Sequence, residues 1–202
     1  MILKNLFRIT VDYKLFTIVI IFFEFFYLIK GYRGNKFNFS NNKLMNDNIP
    51  CPYYFLYKIK KTLQNYKFNK FIDLGCGSGR VIDFFNKSFP NKTLLGIEYF
   101  DQQYKYSKRI FKKNNNISII QNDFTKIDLS LHNADCYFFN DPLAESLNFL
   151  TFVEKIIKSS LKKKIFIFVN YDKKIINNLK NLKHIENYYL NNTKGYSIYS
   201  SN

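Results

Sequence analysis

Between Phe71 and Arg80 the chain reads FIDLGCGSGR, a short apolar run that breaks into three alternating glycines. Beyond it, Val81, Ile82, Phe84 and Phe85 take up helical spacing. The change of period predicts a strand, a tight turn and a helix start. Glycine is needed there because a turn leaving a parallel strand calls for backbone angles that a Cβ forbids, and because a ligand must approach the main chain closely. The unpaired N–H groups that open the following helix carry partial positive charge and favour a polar or anionic ligand end. The spacing, G-x-G-x-G, is tighter than the G-x-G-x-x-G of dinucleotide enzymes.

About one βα unit downstream, Leu94, Leu95, Gly96 and Ile97 form a second buried-strand run that ends in Glu98. An acid at the carboxyl end of the second strand, roughly 20 residues past the first turn, can accept both hydroxyls of a ribose. FIDLGCGSGR followed by LLGIEYF resembles the class I S-adenosylmethionine-dependent methyltransferases, over a stretch from about Pro50 to the C-terminus. The resemblance implies an α/β fold: a Rossmann-like seven-stranded methyltransferase sheet with a C-terminal antiparallel hairpin, here preceded by an N-terminal apolar helix. It also implies S-adenosyl-L-methionine as cofactor, bound by Asp73, Gly75, Cys76, Gly77, Gly79, Glu98, Tyr99, Asp123 and Phe124. In that family the glycine turn packs against the methionine part and the acid, here Glu98, holds the ribose. Asp123, after Ile119 to Asn122, is the candidate for the adenine amino group.

A chain of 202 residues suits one α/β domain with an appendage. The boundaries read as a hydrophobic membrane helix over 1–33, a polar, Asn-rich linker over 34–49 and the methyltransferase domain over 50–202. A formal charge of +16 fits RNA, DNA or an anionic lipid surface as partner. Lys, Asn, Ile, Phe and Tyr are over-used throughout, however, which reads as a compositional bias rather than a patch. Cys51, Cys76 and Cys136 lack metal-ligand spacing and leave an odd thiol, so neither zinc nor a disulfide framework is indicated and a reducing, cytosolic setting fits.

Residues Leu15 to Ile29 are apolar except for Thr17 and Glu24. The run falls short of the ~18 residues asked of a spanning helix, although Gly31 and Tyr32 extend it. Most of its side chains contribute about −0.3 to −0.6 kcal/mol to insertion against about 3 kcal/mol for the acid, so the sum favours the membrane. Thr17, Glu24 and Gly31 fall on one helix face, letting the acid meet a partner, a lipid headgroup or a water-filled groove. The other reading is a buried helix covering the domain. No small-residue cleavage site follows, which argues against a secretory signal. Lys4, Arg8 and Lys14 on one side balance Lys30, Arg33 and Lys36 on the other, so charge does not orient the segment. The cofactor is made in the cytosol, which would put the catalytic domain there.

Pro50 and Pro52 precede Phe55, Leu56, Ile59 and Leu63 at helical spacing, predicting a helix that lids the cofactor. Tyr53 at its start is a candidate substrate residue, with a core aromatic as the other reading. Ala134 to Asn140 reads as a central strand buried on both faces. Its end, Asn140-Asp141-Pro142-Leu143, resembles the (Asn/Asp)-Pro-Pro-(Tyr/Phe) element of methyltransferases that act on amino or amide nitrogens. That resemblance makes Asn140, Asp141 and Pro142 the catalytic candidates: the amide and a proline carbonyl accept hydrogen bonds from the target nitrogen, and Asp141 could take a proton from a lysine. Asp141 and Leu143 depart from the element, and a plain helix cap at Asp141 is the alternative.

Helical spacing returns at Leu147 to Ile157, a fifth strand at Ile165 to Val169, and a further helix at Ile175, Ile176 and Leu179. His184 to Leu190 and Tyr196 to Tyr199, joined by NNTKG, predict the closing hairpin. The apolar N-terminal segment and the Arg after the glycine turn are also similar to the lysine methyltransferases of the ATP synthase c-subunit. The reading is a membrane-associated methyltransferase acting on a nitrogen of a protein or another macromolecule, without a metal. An RNA methyltransferase and a non-catalytic cofactor-binding module at the membrane are the rivals.

Overall fold

In the computed structural model, which describes Tyr13 and residues 16–32, 50–141, 146–159 and 162–201, every predicted strand run forms part of one sheet. The strands are β1 (Lys70–Leu74), β2 (Thr93–Glu98), β3 (Ile117–Gln121), β4 (Cys136–Asn140), β5 (Ile165–Val169), β6 (Leu182–Tyr189) and β7 (Gly195–Ser201). Their order is β3-β2-β1-β4-β5-β7-β6. Neighbours from β3 to β5 pair in parallel, and β7 runs antiparallel to both β5 and β6. This is the Rossmann-like seven-stranded sheet with a terminal hairpin that the sequence predicts. The order reverses between β1 and β4, so the crevice for a ligand lies beyond their carboxyl ends.

Alternation along the strands builds two cores. Phe71, Leu94, Phe138, Ile167 and Ile198 face one side, and Ile72, Leu95, Phe139, Phe168 and Tyr199 face the other. The first side is covered by α2 (Tyr53–Leu63), α3 (Arg80–Ser88) and α4 (Asp101–Phe111), the second by α5 (Ser146–Lys158) and α6 (Lys173–Ile176). Phe55, Leu56, Ile59 and Leu63 are the buried stripe of α2, as their spacing predicts. α6 lasts only one turn, so Leu179 packs from a turn rather than from a helix.

The N-terminal apolar run forms α1 (Thr17–Ile29), which packs on the first side through Ile20 and Tyr27. Tyr27 stacks on Tyr53 at 4.9 Å, and Phe23 meets the edge of Tyr54 at 5.1 Å. The helix closes on Gly31 at φ +73°, where the Gly31 and Tyr32 N–H groups donate to the carbonyls of Leu28 and Tyr27. At 13 residues it is about 20 Å long, against ~30 Å of bilayer core. Among the described residues no helix is long and apolar enough to cross a membrane. The expectation of a spanning segment is therefore corrected by the packing: the helix spends one face on the domain. The predicted linker, 34–49, lies outside the described residues.

Candidate cofactor and active site

The turn after β1 is held against the end of β2. Gly75 and Cys76 both donate their N–H to the Ile97 carbonyl, at 2.9 and 3.0 Å, and Gly79 N–H closes back on Cys76 O at 2.9 Å. Gly75, Gly77 and Gly79 have φ of 84°, 54° and 82°, a left-handed run that side chains would strain. Gly96 completes the seat. A Cβ there would stand 2.7 Å from the Cys76 sulfur, so the gap in β2 is what lets the turn settle onto the sheet.

Glu98 ends β2 and turns into this bend. One carboxylate oxygen accepts from Gly77 N at 2.7 Å and the other from Phe100 N at 2.8 Å. Burial raises its pKa, opposed by those N–H donors. Asp73, at the end of β1, is buried and its pKa stands well above the usual carboxylate range, first through burial and then through Glu98. Its Oδ2 has no hydrogen-bond partner. An orphaned buried carboxylate oxygen costs stability unless a donor reaches it, and a cationic donor suits it best. Two buried acids beside a glycine cradle fit a ligand with an ammonium at one end and hydroxyls at the other, which are the features of S-adenosyl-L-methionine.

The other cofactor candidates surround this bend unequally. Tyr99 is 45% exposed directly after Glu98, with its ring free of the core and edge-on to Phe100. Asp123 lies two residues past the Glu98–Gln121 register pair. Its carboxylate accepts from Thr125 N and Oγ1, at 3.0 and 2.6 Å, so it braces the turn after β3. Phe124 is buried against Phe152, 5.2 Å between ring centres, on the second side of the sheet.

Leu74 pairs with Phe139, so Asn140 stands one register step further, alongside Gly75. Its Oδ1 accepts from Asn170 Nδ2 at 2.8 Å. Asn170 follows β5 at φ +60° and Asp141 follows β4 at φ +45°, so both neighbouring strands bend over at the same edge. Asn170 is buried and its own Oδ1 has no partner, and the same holds for the buried Tyr171 hydroxyl. Asn170 directly follows a predicted strand, but its tie to Asn140 joins two strands and leaves no local signal in the sequence. Pro142 lies outside the described residues.

Tyr53 is fully buried, with the Arg80 guanidinium 3.8 Å over its ring and Tyr27 on its flank. That is the core-aromatic environment, and no surface of Tyr53 meets solvent. The three cysteines are free and buried, and burial raises each thiol pKa, which disfavours the reactive thiolate. Among the described residues no group of three side chains gathers in a way that could hold a metal ion.

A family model described as a methyltransferase domain matches residues 67–200. Nothing among curated proteins matches the chain. Solved structures do. The N-methyltransferase NodS from Bradyrhizobium japonicum, in complex with S-adenosylhomocysteine, is 12% identical with a TM-score of 0.57, over 73% of this chain and 85% of that one. An S-adenosylhomocysteine-bound methyltransferase from Podospora anserina is 13% identical with a TM-score of 0.61, over 76% and 80%. A putative caffeoyl-CoA O-methyltransferase from Staphylococcus aureus is 14% identical with a TM-score of 0.59, over 91% and 92%. At these identities the likeness is one of fold, and one fold carries both nitrogen and oxygen acceptors.

Proposed function

The chain belongs to the methyltransferase-domain family, and from that premise we propose that it moves a methyl group from S-adenosyl-L-methionine to a nitrogen of a protein or another macromolecule, at a membrane surface. The observation that carries this reading is the placement of Glu98 against Gly77 with Asn140 level with Gly75, one register step past the Leu74–Phe139 pair. Cofactor-holding and acceptor-holding groups thus meet at one edge of the sheet.

The bound cofactor supplies a methyl on a sulfonium, an activated electrophile with a neutral leaving group. The residues of this chain have to orient and to exclude water. Asp73 would receive the ammonium and Glu98 the ribose hydroxyls. Tyr99 and Asp123 would lie toward the adenine. Asn140, steadied by Asn170, would accept a hydrogen bond from the target nitrogen and so orient its lone pair. Asp141 would take the proton when the target is a lysine.

Calorimetric titration of the full chain with S-adenosylhomocysteine, followed by methyl transfer from labelled S-adenosyl-L-methionine to a membrane extract, tests this. Asn140→Ala is expected to retain binding within about threefold and to lose roughly 100-fold or more in transfer, since it removes an interaction aimed at the acceptor. Equal transfer by wild type and variant would sink the role of Asn140. The formal charge of +16 favours RNA as the second acceptor class. Under that reading, label enters RNA and binding of a single-stranded RNA falls steeply with salt.

Membrane association draws its support from α1. Ile18, Phe22, Phe25 and Ile29 are 80%, 63%, 65% and 71% exposed and spaced four, three and four residues apart, one continuous stripe on the face away from the domain. Lys30 lies 4.2 Å over the Phe26 ring beside this stripe, a cation suited to anionic headgroups. A helix of this length would lie in the interface, with the catalytic domain on the cytoplasmic side. Each Phe side chain contributes ~1.5–3 kcal/mol when fully buried. Phe22→Ser with Phe25→Ser should therefore weaken partition onto phosphatidylcholine–phosphatidylglycerol vesicles about tenfold or more. Unchanged sedimentation with the vesicles would remove the membrane from the reading.

A further inference from the structure

Glu24 is the single acid of the apolar run, and it faces the domain rather than solvent or lipid. Its two carboxylate oxygens both accept from Arg80 Nη2, and Oε1 also accepts from the N–H of Tyr53, the first residue of α2, at 3.0 Å. Arg80 is the first residue of α3, directly after Gly79. Its guanidinium is closed in between Glu24 and the Tyr53 ring. Seven residues further on in each segment, with Gly31 just past the end of α1, Lys87 Nζ donates to Gly31 O at 2.7 Å and to Asp83 Oδ2 at 2.9 Å. That lysine crowns the carbonyl end of α1, where a cation is favoured. Two parallel helices are thus pinned at matching positions, Glu24 to Arg80 and Gly31 to Lys87.

We propose that Glu24 is a positioning residue of the cofactor turn: it fixes where α3 begins after Gly79 and cancels the charge of Arg80 beside a site that must take a cation. The proposal rests on the S-adenosyl-L-methionine reading above. Both functions follow from chemistry on the page. The last glycine of the turn is the cap of α3, so a shift in Arg80 is a shift in the turn. Without Glu24, an unpaired guanidinium adds to the positive N-terminus of α3 and acts against every positive charge of the ligand, the sulfonium as well as the ammonium. The apolar stripe on the opposite face of the same helix then leaves α1 a dual role, outward to a surface and inward to the turn.

The test compares S-adenosylhomocysteine with S-adenosyl-L-methionine, which carries one more positive charge at sulfur. Titrations of the full-length wild type, Glu24→Gln and Glu24→Asp are run at low temperature, with circular dichroism confirming each is folded. Glu24→Gln should bind S-adenosylhomocysteine roughly 10- to 100-fold more weakly, the size of effect that a displaced positioning contact produces. It should lose a further several-fold with S-adenosyl-L-methionine. Glu24→Asp keeps the charge but cannot reach both Arg80 and Tyr53 N, so it should lose affinity for the two ligands equally. Ile198→Val, a core change on the far part of the same layer, serves as the control that lowers stability without moving either affinity. Should Glu24→Gln not fold, Glu24→Asp decides: an affinity equal to wild type overturns the proposal. Equal loss for both ligands in folded Glu24→Gln overturns the charge role. A wild type that binds neither ligand overturns the cofactor reading and this proposal with it, whereas a binding wild type matched by both variants overturns this proposal alone.

Discussion

Glu98→Ala is expected to lose S-adenosylhomocysteine binding by about 100-fold or more while the domain stays folded. Hydrogen bonds to a charged group contribute about 1.5–3 kcal/mol each, and a ribose offers two hydroxyls to this carboxylate. Losing both amounts to roughly 3 kcal/mol or more, which is at least two decades in affinity. The fold is expected to tolerate the change because the acid is held at a cost. Burial raises the pKa of Glu98, and Glu98 in turn raises that of Asp73. For acids with a folded-state pKa above the unfolded value, the stabilising contribution is complete below the unfolded pKa and is lost as pH rises through the folded one. The melting temperature of Glu98→Ala should therefore gain on wild type as pH is raised from the ordinary carboxylate range toward neutrality. Titration calorimetry and melts across that range check both halves. Retained affinity would leave the ribose assignment without support.

Gly79→Ala should have the largest effect on stability. The residue sits at φ +82°, and a Cβ there would lie 2.4 Å from the Phe111 ring of α4. The left-handed conformation costs an L-residue roughly 1–2 kcal/mol, and overpacking against a ring about 1–3 kcal/mol more. For a protein of this size each kcal/mol moves the melting temperature by about 2–4 °C, so a fall of roughly 5–15 °C follows. Phe111→Leu in the same chain relieves the clash but not the backbone strain and should return only part of the loss. An unchanged melting temperature would mean that the turn can re-form without its left-handed cap.

Much of this architecture is legible because it is local. The strand runs at Phe71, Leu94, Ile119, Ala134 and Ile165 each carry their own apolar signal, and the glycines with Glu98 mark the ligand edge before any coordinate is known. NNTKG sets the hairpin, although β6 starts two residues before His184, where Leu182 and Lys183 pair with Ser201 and Ser200. What the sequence hides is pairing across distance. The tie between Asn140 and Asn170 spans 30 residues, and that between Glu24 and Arg80 spans 56. The apolar run itself is ambiguous for a physical reason: a surface made of Tyr53, Tyr54, Tyr57 and Phe84 solvates one side of a helix much as lipid would. Only the acid within the run carried a hint, since an ionised group in such a segment has to find a partner. The Asn-Asn-Leu that follows Ile176 is a similar case, a helical pattern cut short by residues that favour turns.

The packing of α1 also bears on where the self-sufficient unit begins. The stretch shared with the family starts at residue 67, yet one continuous hydrophobic layer runs from Tyr13, Ile20 and Tyr27 through Tyr53 and Phe84 to Ile198. A fragment trimmed to the shared stretch would bare Phe84, strip Arg80 of its carboxylate and remove the whole of α2 from over β7. The autonomous module is therefore larger than its recognisable signature, and α1 and α2 belong to its architecture.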